Sequence, residues 1–367
     1  MDGLAPGLRV FGSAHRYVQG VGALDAVGGL LAALGDHATV MIDLAMVPVL
    51  GDRLRQSLES AGLGVELVAL EGDVTHANID AMAARVSGLG RPTIVVGVGG
   101  GKALDLARAA SWHNGATFVT IPTIASNDSP AAMAVAVYDD DHGLVEVIQT
   151  GRNPELVLVD PAVIAGAPSR FLSAGIGDAI AKKFEADSCR SVGGNTQHGA
   201  PSLRVAGAIA DACYATLREM AVEGLAAVER GEVDQSLEDT IEAVVLMAGL
   251  AFENGGLSIA HSMMRGLQVV RGTKDRMHGE HVAYGLLVQR ALEGVGDAEF
   301  ADLADFLVAV GLPDSLSALG LPDPTEAELD EVADRCAGSP HRHKTLAHVD
   351  RASLRAAMGR VEQSRRP

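Results

Sequence analysis

Residues Pro92 to Arg108 read Pro-Thr-Ile-Val-Val-Gly-Val-Gly-Gly-Gly-Lys-Ala-Leu-Asp-Leu-Ala-Arg. The β-branched run Thr93 to Val96 enters clustered glycines, Gly97, Gly99, Gly100 and Gly101, and leaves in helix-favouring residues, which predicts strand, tight turn and helix start. Glycines let backbone N–H groups approach a ligand, and the positive end of the new helix faces the same spot, so a phosphate suits this turn. The spacing is neither a Walker loop, since no Ser or Thr follows Lys102, nor the usual G-x-G-x-x-G. A glycine-rich turn that binds nothing would read the same way.

The flanking sequence alternates strands and helices. Arg9 to Gln19 reads as an edge strand or hairpin, Gly20 to Leu34 as a helix, and His37 to Asp43 as a strand ending on an acid. An acid there takes ribose hydroxyls and repels a 2′-phosphate, favouring NAD over NADP, although an aspartate capping a helix has the same sequence. Val49 to Ala61 and Thr75 to Leu89 read as helices; Gly64 to Leu70, Ala116 to Ile121 and Leu156 to Asp160 read as strands. Ala131 to Tyr138 and Val145 to Gln149 flank a polar hairpin tip, Asp139 to Gly143. This alternation predicts parallel strands with right-handed crossovers in a doubly wound sheet. Hydroxyls and an acid in Pro122-Thr-Ile-Ala-Ser-Asn-Asp128 fall at a strand's carboxyl end, where open α/β sheets bind ligands, and equally suit an ordinary loop.

Beyond Pro168 strand-like runs stop and long helical patterns take over: Ala174 to Ser188, Leu203 to Val228, Leu237 to Glu253, Leu257 to Val269, Gly279 to Leu292, Ala298 to Val310, Glu326 to Cys336 and Arg351 to Val361. The organisation expected is an α/β dinucleotide-binding domain, residues 1–168, with a Rossmann-like parallel sheet, and an all-α domain, residues 169–367. Only the last few residues read as disordered.

A formal net charge of −18 argues against sequence-independent binding to nucleic acid or an anionic membrane. Three scattered cysteines, Cys189, Cys213 and Cys336, lack C-x-x-C spacing, so neither a disulfide framework nor a thiolate zinc site is indicated. Met1 to Pro6 shows no basic region followed by an apolar segment, and no apolar run approaches the ~20 residues of a membrane span. The expectation is a cytoplasmic protein acting on a small molecule. Asp178, His261 and His278 supply one carboxylate and two imidazoles from separate helical segments, a set suited to a catalytic zinc or iron with open positions. Taken singly, each is an ordinary residue.

Five segments in order, Gly97 to Asp105, Pro122 to Asp128, Ala174-Gly-Ile-Gly-Asp178, Phe252-Glu-Asn-Gly-Gly-Leu-Ser-Ile-Ala-His261 and His278-Gly-Glu-His-Val-Ala-Tyr-Gly285, resemble the glycerol dehydrogenases. These belong to the metal-dependent, iron-containing alcohol dehydrogenase superfamily, which also contains dehydroquinate synthase and shares its architecture. The resemblance implies that Asp43 holds the adenosine ribose of NAD and that Gly99, Gly100, Gly101, Lys102 and Asp105 surround the pyrophosphate. It further implies that Thr123 and Ser126 position the nicotinamide with Tyr138 nearby, and that Asp178, His261 and His278 bind the metal while Asp128 touches substrate hydroxyls. The implied activity is oxidation of a secondary hydroxyl of a glycerol-like polyol, or reduction of the matching ketone, by a homo-oligomer from dimer to octamer.

Some positions depart from the glycerol dehydrogenase pattern. Lys182 stands where the iron enzymes carry a fourth ligand and glycerol dehydrogenases a neutral residue. That favours three protein ligands, and zinc over iron. Beside a dication its pKa is expected to fall, making it a candidate proton relay or substrate hydrogen-bonding group, with a lysine reaching solvent as the alternative. Asn127 replaces a small hydroxyl residue, Ala132 a serine contacting NAD, and Met264-Arg265 a His-Asn pair. Arg265, Lys182 and Lys274 would make a pocket attractive to phosphate or carboxylate, so a phosphorylated polyol or a cyclitol is the alternative substrate. A dehydroquinate synthase-type lyase and a non-catalytic NAD-binding protein rank lower.

Overall fold

The computed structural model describes residues 7–139 and 143–364. Among the described residues there are eight strands: β1 (Arg16–Gln19), β2 (His37–Asp43), β3 (Gly64–Leu70), β4 (Ile94–Gly99), β5 (Thr117–Pro122), β6 (Ala134–Tyr138), β7 (Leu144–Gln149) and β8 (Leu156–Val159). Six form one parallel sheet in the order β1-β8-β5-β4-β2-β3, and β6 with β7 make a separate antiparallel hairpin. The expected hairpin tip falls largely on residues 140–142, which lie outside the described residues, as do the first six and last three.

Helices α1 (Val27–Leu31), α2 (Val47–Ser60), α3 (His76–Gly88) and α4 (Gly101–Asn114) alternate with the strands. One apolar cluster joins α1 and α2 to Val40, Ile42, Val96 and Val98; another joins α3 and α4 to Met41, Val68 and Val95. Alternate residues of β2 thus serve opposite faces, as a period of two requires, and the sheet is doubly wound. β2 lies between β3 and β4, so its carboxyl end and that of β4 border the crevice where crossovers leave to opposite faces.

Gly20 to Leu34 does not form the single helix expected. It is a 3₁₀ turn, Ala23–Ala26, followed by the short α1. Gly28 and Gly29 weaken helix there, and a Cβ on Gly28 would lie 2.0 Å from the Ser57 carbonyl oxygen, so close packing on α2 decides the local shape.

The remaining helices are α5 (Pro161–Ala165), α6 (Ser169–Ser191), α7 (Arg204–Arg230), α8 (Gln235–Glu242), α9 (Ala248–Gly255), α10 (Ile259–Leu267), α11 (His278–Leu292), α12 (Asp297–Ala309), α13 (Glu326–Ala337) and α14 (Arg351–Ser364). The helix expected over Leu237 to Glu253 is divided by a π-helical turn, Ala243–Met247. There Val244 faces Gly175 of α6, and Gly249 beyond it faces Ala131, so the wider turn fits this run between α6 and the segment after β5. Among the described residues no single helix is long and apolar enough to cross a membrane.

Candidate cofactor crevice and metal centre

β4 delivers Gly99 with φ at 149°, beyond the reach of ordinary L residues. A Cβ on Gly99 would stand 2.7 Å from the Ala103 Cβ and 3.0 Å from that of Asp43; one on Gly100 would stand 2.8 Å from Ile124, and one on Gly101 2.8 Å from the Asn127 amide nitrogen. Backbone therefore forms the wall here, between the end of β2 and the loop after β5. α4 starts at Gly101 and turns its first free N–H groups toward that wall.

Asp43 ends β2, where its carboxylate accepts from the Ala45 N–H at 2.9 Å. Lys102 is exposed in the first turn of α4 and pairs with Asp73. Asp105 is buried and committed within the protein: it accepts from Arg108 at 2.5 Å, the Ser129 hydroxyl at 2.7 Å and the Ala136 N–H at 3.1 Å, tying α4 to the hairpin. The Thr123 N–H donates to the Gly99 carbonyl at 3.0 Å, and Ser126 is half-buried two residues before Asp128. Tyr138 closes β6, and burial, with Asp105 and Asp73 nearby, pushes its phenol up to about 12.

The loop that begins at Thr123 ends at the second cluster. The Asp128 N–H donates to Asp178 Oδ2 at 3.3 Å. Asp178 in α6, His261 in α10 and His278 opening α11 bring one ligand atom each to within 4.8 Å of one another. Glycine permits this convergence, since a Cβ on Gly279 would lie 1.6 Å from the Ala174 carbonyl oxygen and force α11 off α6.

Two further groups complete the centre. Glu185, one helical repeat beyond Asp178, accepts from His261 Nδ1 at 2.6 Å, the His261 N–H at 3.0 Å and the Ser258 N–H at 2.8 Å. Lys182 is buried beneath Phe252 and reaches Asp178 Oδ1 at 2.7 Å, Asp128 Oδ2 at 2.9 Å and His261 Nε2 at 3.1 Å. Lys182 therefore does not run out to solvent. Sequence reading missed Glu185, although Asp178, Lys182 and Glu185 form an i, i+4, i+7 charged stripe on one face of the helix, the face the structure buries.

Burial would discharge Lys182, but Asp128 and Asp178 outweigh it and hold its pKa above the ordinary lysine value. The lowering expected from sequence assumed a dication as neighbour; the two carboxylates push the other way. Burial also works against ionised Asp178, yet Lys182 and the imidazoles hold it well below the usual range. For Asp128 burial prevails over Lys182 and the pKa rises. Burial disfavours charged His261, but Glu185 and Asp178 bring it to about 9. Burial likewise opposes ionised Glu185, and His261 with Lys182 overcomes it and lowers the pKa.

A doubly wound parallel sheet joined to a helical half, with a carboxylate and two imidazoles converging at the end of the loop that leaves the sheet, is the architecture of the iron-containing alcohol dehydrogenase fold. The family model for iron-containing alcohol dehydrogenase matches residues 18–168. A glycolaldehyde reductase of Halobacterium salinarum is 36% identical over 95% of this chain and 96% of its own, and a glycerol dehydrogenase of Pseudomonas putida is 38% identical over 83% of each. The crystal structure of a probable glycerol dehydrogenase from Sinorhizobium meliloti superposes with a TM-score of 0.91 at 34% identity, covering 98% of this chain and 99% of that one. The chain belongs to the iron-containing alcohol dehydrogenase family.

Proposed function

We propose that the protein is an NAD- and metal-dependent dehydrogenase that interconverts a secondary hydroxyl of a small, glycerol-like polyol and the matching ketone. The observation that carries this reading is the convergence of Asp178, His261 and His278 at the end of the Thr123 to Asp128 loop, whose other end is bonded to the glycine turn. Glycerol dehydrogenases and a glycolaldehyde reductase among the relatives support the substrate class.

The donor set fits a divalent ion, because Glu185 accepts from His261 Nδ1–H and so turns Nε2 toward Asp178 and His278. Zinc suits one carboxylate and two imidazoles with a position open for substrate. When bound, such an ion supplies the positive charge that makes a hydroxyl acidic near neutrality, and NAD supplies the hydride acceptor.

The chain's own residues do the remaining work. The glycine wall and the α4 N-terminus suit a pyrophosphate, with Asp43 beside it for the ribose. Asp105 holds α4 and the hairpin in register from behind. Asp128 stands at the donor cluster as the acceptor for a substrate hydroxyl, with Lys182 paired to it at 2.9 Å. Lys182 is neutralised by Asp128 and Asp178, while Arg265 and Lys274 are exposed, so the site favours a neutral polyol over a phosphorylated one. A cytoplasmic homo-oligomer remains part of the proposal.

The test is NADH formation from a panel of polyols, phosphorylated polyols and cyclitols by zinc-reconstituted protein, repeated with NADP. Activity with a neutral polyol, lost with chelator and in Asp178→Ala, is expected. A zinc-loaded protein inert toward the whole panel refutes the reading.

A further inference from the structure

Lys182 raises a question that a plain three-ligand centre does not. Its ammonium lies 2.7 Å from Asp178 Oδ1 and 3.1 Å from His261 Nε2, two of the three atoms that would hold the metal, and 2.9 Å from Asp128 Oδ2. Its N–H groups bond to Asp178 and His261, and Asp128 stands beside it as an ion-pair partner. A neutral imidazole has a single acceptor nitrogen, and with Nδ1 donating to Glu185 that nitrogen is Nε2. The Nε2 lone pair serves Lys182 or a metal ion, never both. If His261 instead carries a second proton, that proton sits on Nε2, 3.2 Å from Asp178 Oδ1, and the nitrogen is closed as well.

We propose that Lys182 is a built-in competitor for the metal: its ammonium bonds to Asp178, fills the space against His261 Nε2 where a divalent ion would sit, and is displaced toward Asp128 when such an ion binds. The inference rests on the metal reading of this centre. Two consequences follow from charge. The metal-free centre stays folded, because Lys182 offsets carboxylates that would otherwise lie buried and close together. Metal binding is weakened, because a dication must break an ammonium hydrogen bond and then sit beside a positive charge. Among family members with a neutral residue at this place, the centre would load at lower free zinc; this chain would release its metal more readily and gain activity with supply.

The experiment compares wild type with Lys182→Met by zinc titration against a chromophoric chelator and by thermal melts with and without zinc. Expected are at least tenfold tighter zinc binding in Lys182→Met, a lower melting temperature without metal, and a larger zinc-induced rise. If Lys182→Met does not fold, the charge-balanced pair Asp128→Asn with Lys182→Met takes its place, again with tighter binding than wild type expected. Equal or weaker zinc binding by the folded variant overturns the inference alone. Zinc binding by neither protein overturns the metal reading and the inference with it.

Discussion

Glu185→Gln is the sharpest probe of how the centre is held. The carboxylate accepts three N–H groups, from His261 Nδ1, His261 N and Ser258 N, at 2.6, 3.0 and 2.8 Å. A glutamine offers one oxygen and one NH₂ in their place, so one orientation or the other must fail. With its oxygen toward the two backbone groups, its NH₂ faces Nδ1, drives the imidazole proton to Nε2 and closes the nitrogen that faces Asp178. With its oxygen toward Nδ1, two buried backbone donors at the start of α10 lose their acceptor, at about 1–3 kcal/mol each. Loss of such a support weakens metal binding about 10–100-fold, or roughly 1.4–2.7 kcal/mol. Zinc affinity by chelator competition and the melting temperature of the metal-free protein read the two failures separately. Wild-type values in both assays would refute the assignment of Glu185 as the group that orients His261.

Gly279→Ala should cost about 3 kcal/mol or more, since overpacking against backbone has no soft partner, and should weaken zinc binding with it; Gly359→Ala, with open space around it, should stabilise by about 0.5–1 kcal/mol, both read by urea unfolding. Gly99→Ala should weaken NADH binding at least tenfold by fluorescence titration while leaving zinc binding intact, because the nearest neighbours of its Cβ would be Ala103 and Asp43 and none of the zinc donors. Acid should destabilise through His281, whose pKa burial lowers to about 4 although Nε2 donates to the Thr273 carbonyl at 2.8 Å. The unfolded state binds that proton first, so stability is complete above the ordinary histidine pKa near 6.5 and is lost as pH falls toward 4. About 2 kcal/mol should disappear between pH 7 and 5, and His281→Gln, which keeps the donor, should remove that slope from urea unfolding.

Strands β2 and β3 were legible almost to the residue, because His37 to Asp43 and Gly64 to Leu70 are apolar runs bounded by turn residues. The glycine turn was legible as a turn, and its neighbours were not: that Gly100 abuts Ile124 and Gly101 abuts Asn127 is a fact of packing between β4 and the loop after β5. Asp178, His261 and His278 were picked out by residue type and joined into one centre only by the family resemblance; spacing alone could not join three segments far apart in the chain. Lys182 was singled out because it stands where the iron enzymes carry a fourth ligand, yet its partners Asp128 and His261 come from other elements, so its charge balance was out of reach. The π-helical turn left no polar signature, since Ala243 to Met247 is wholly apolar and its width is imposed by Gly175 and Ala131.

The loop from Thr123 to Asp128 has a meaning beyond its contacts. One end is pinned by an amide on the carbonyl of Gly99, the other by an amide on the carboxylate of Asp178. The interval between the glycine wall and the proposed metal donors is therefore a length of covalent chain, a ruler of fixed residue count. Each added residue lengthens that ruler by up to about 3.5 Å, as large as the whole separation at which a hydride donor and acceptor react. The number of residues in the loop, more than any one of its side chains, sets this interval.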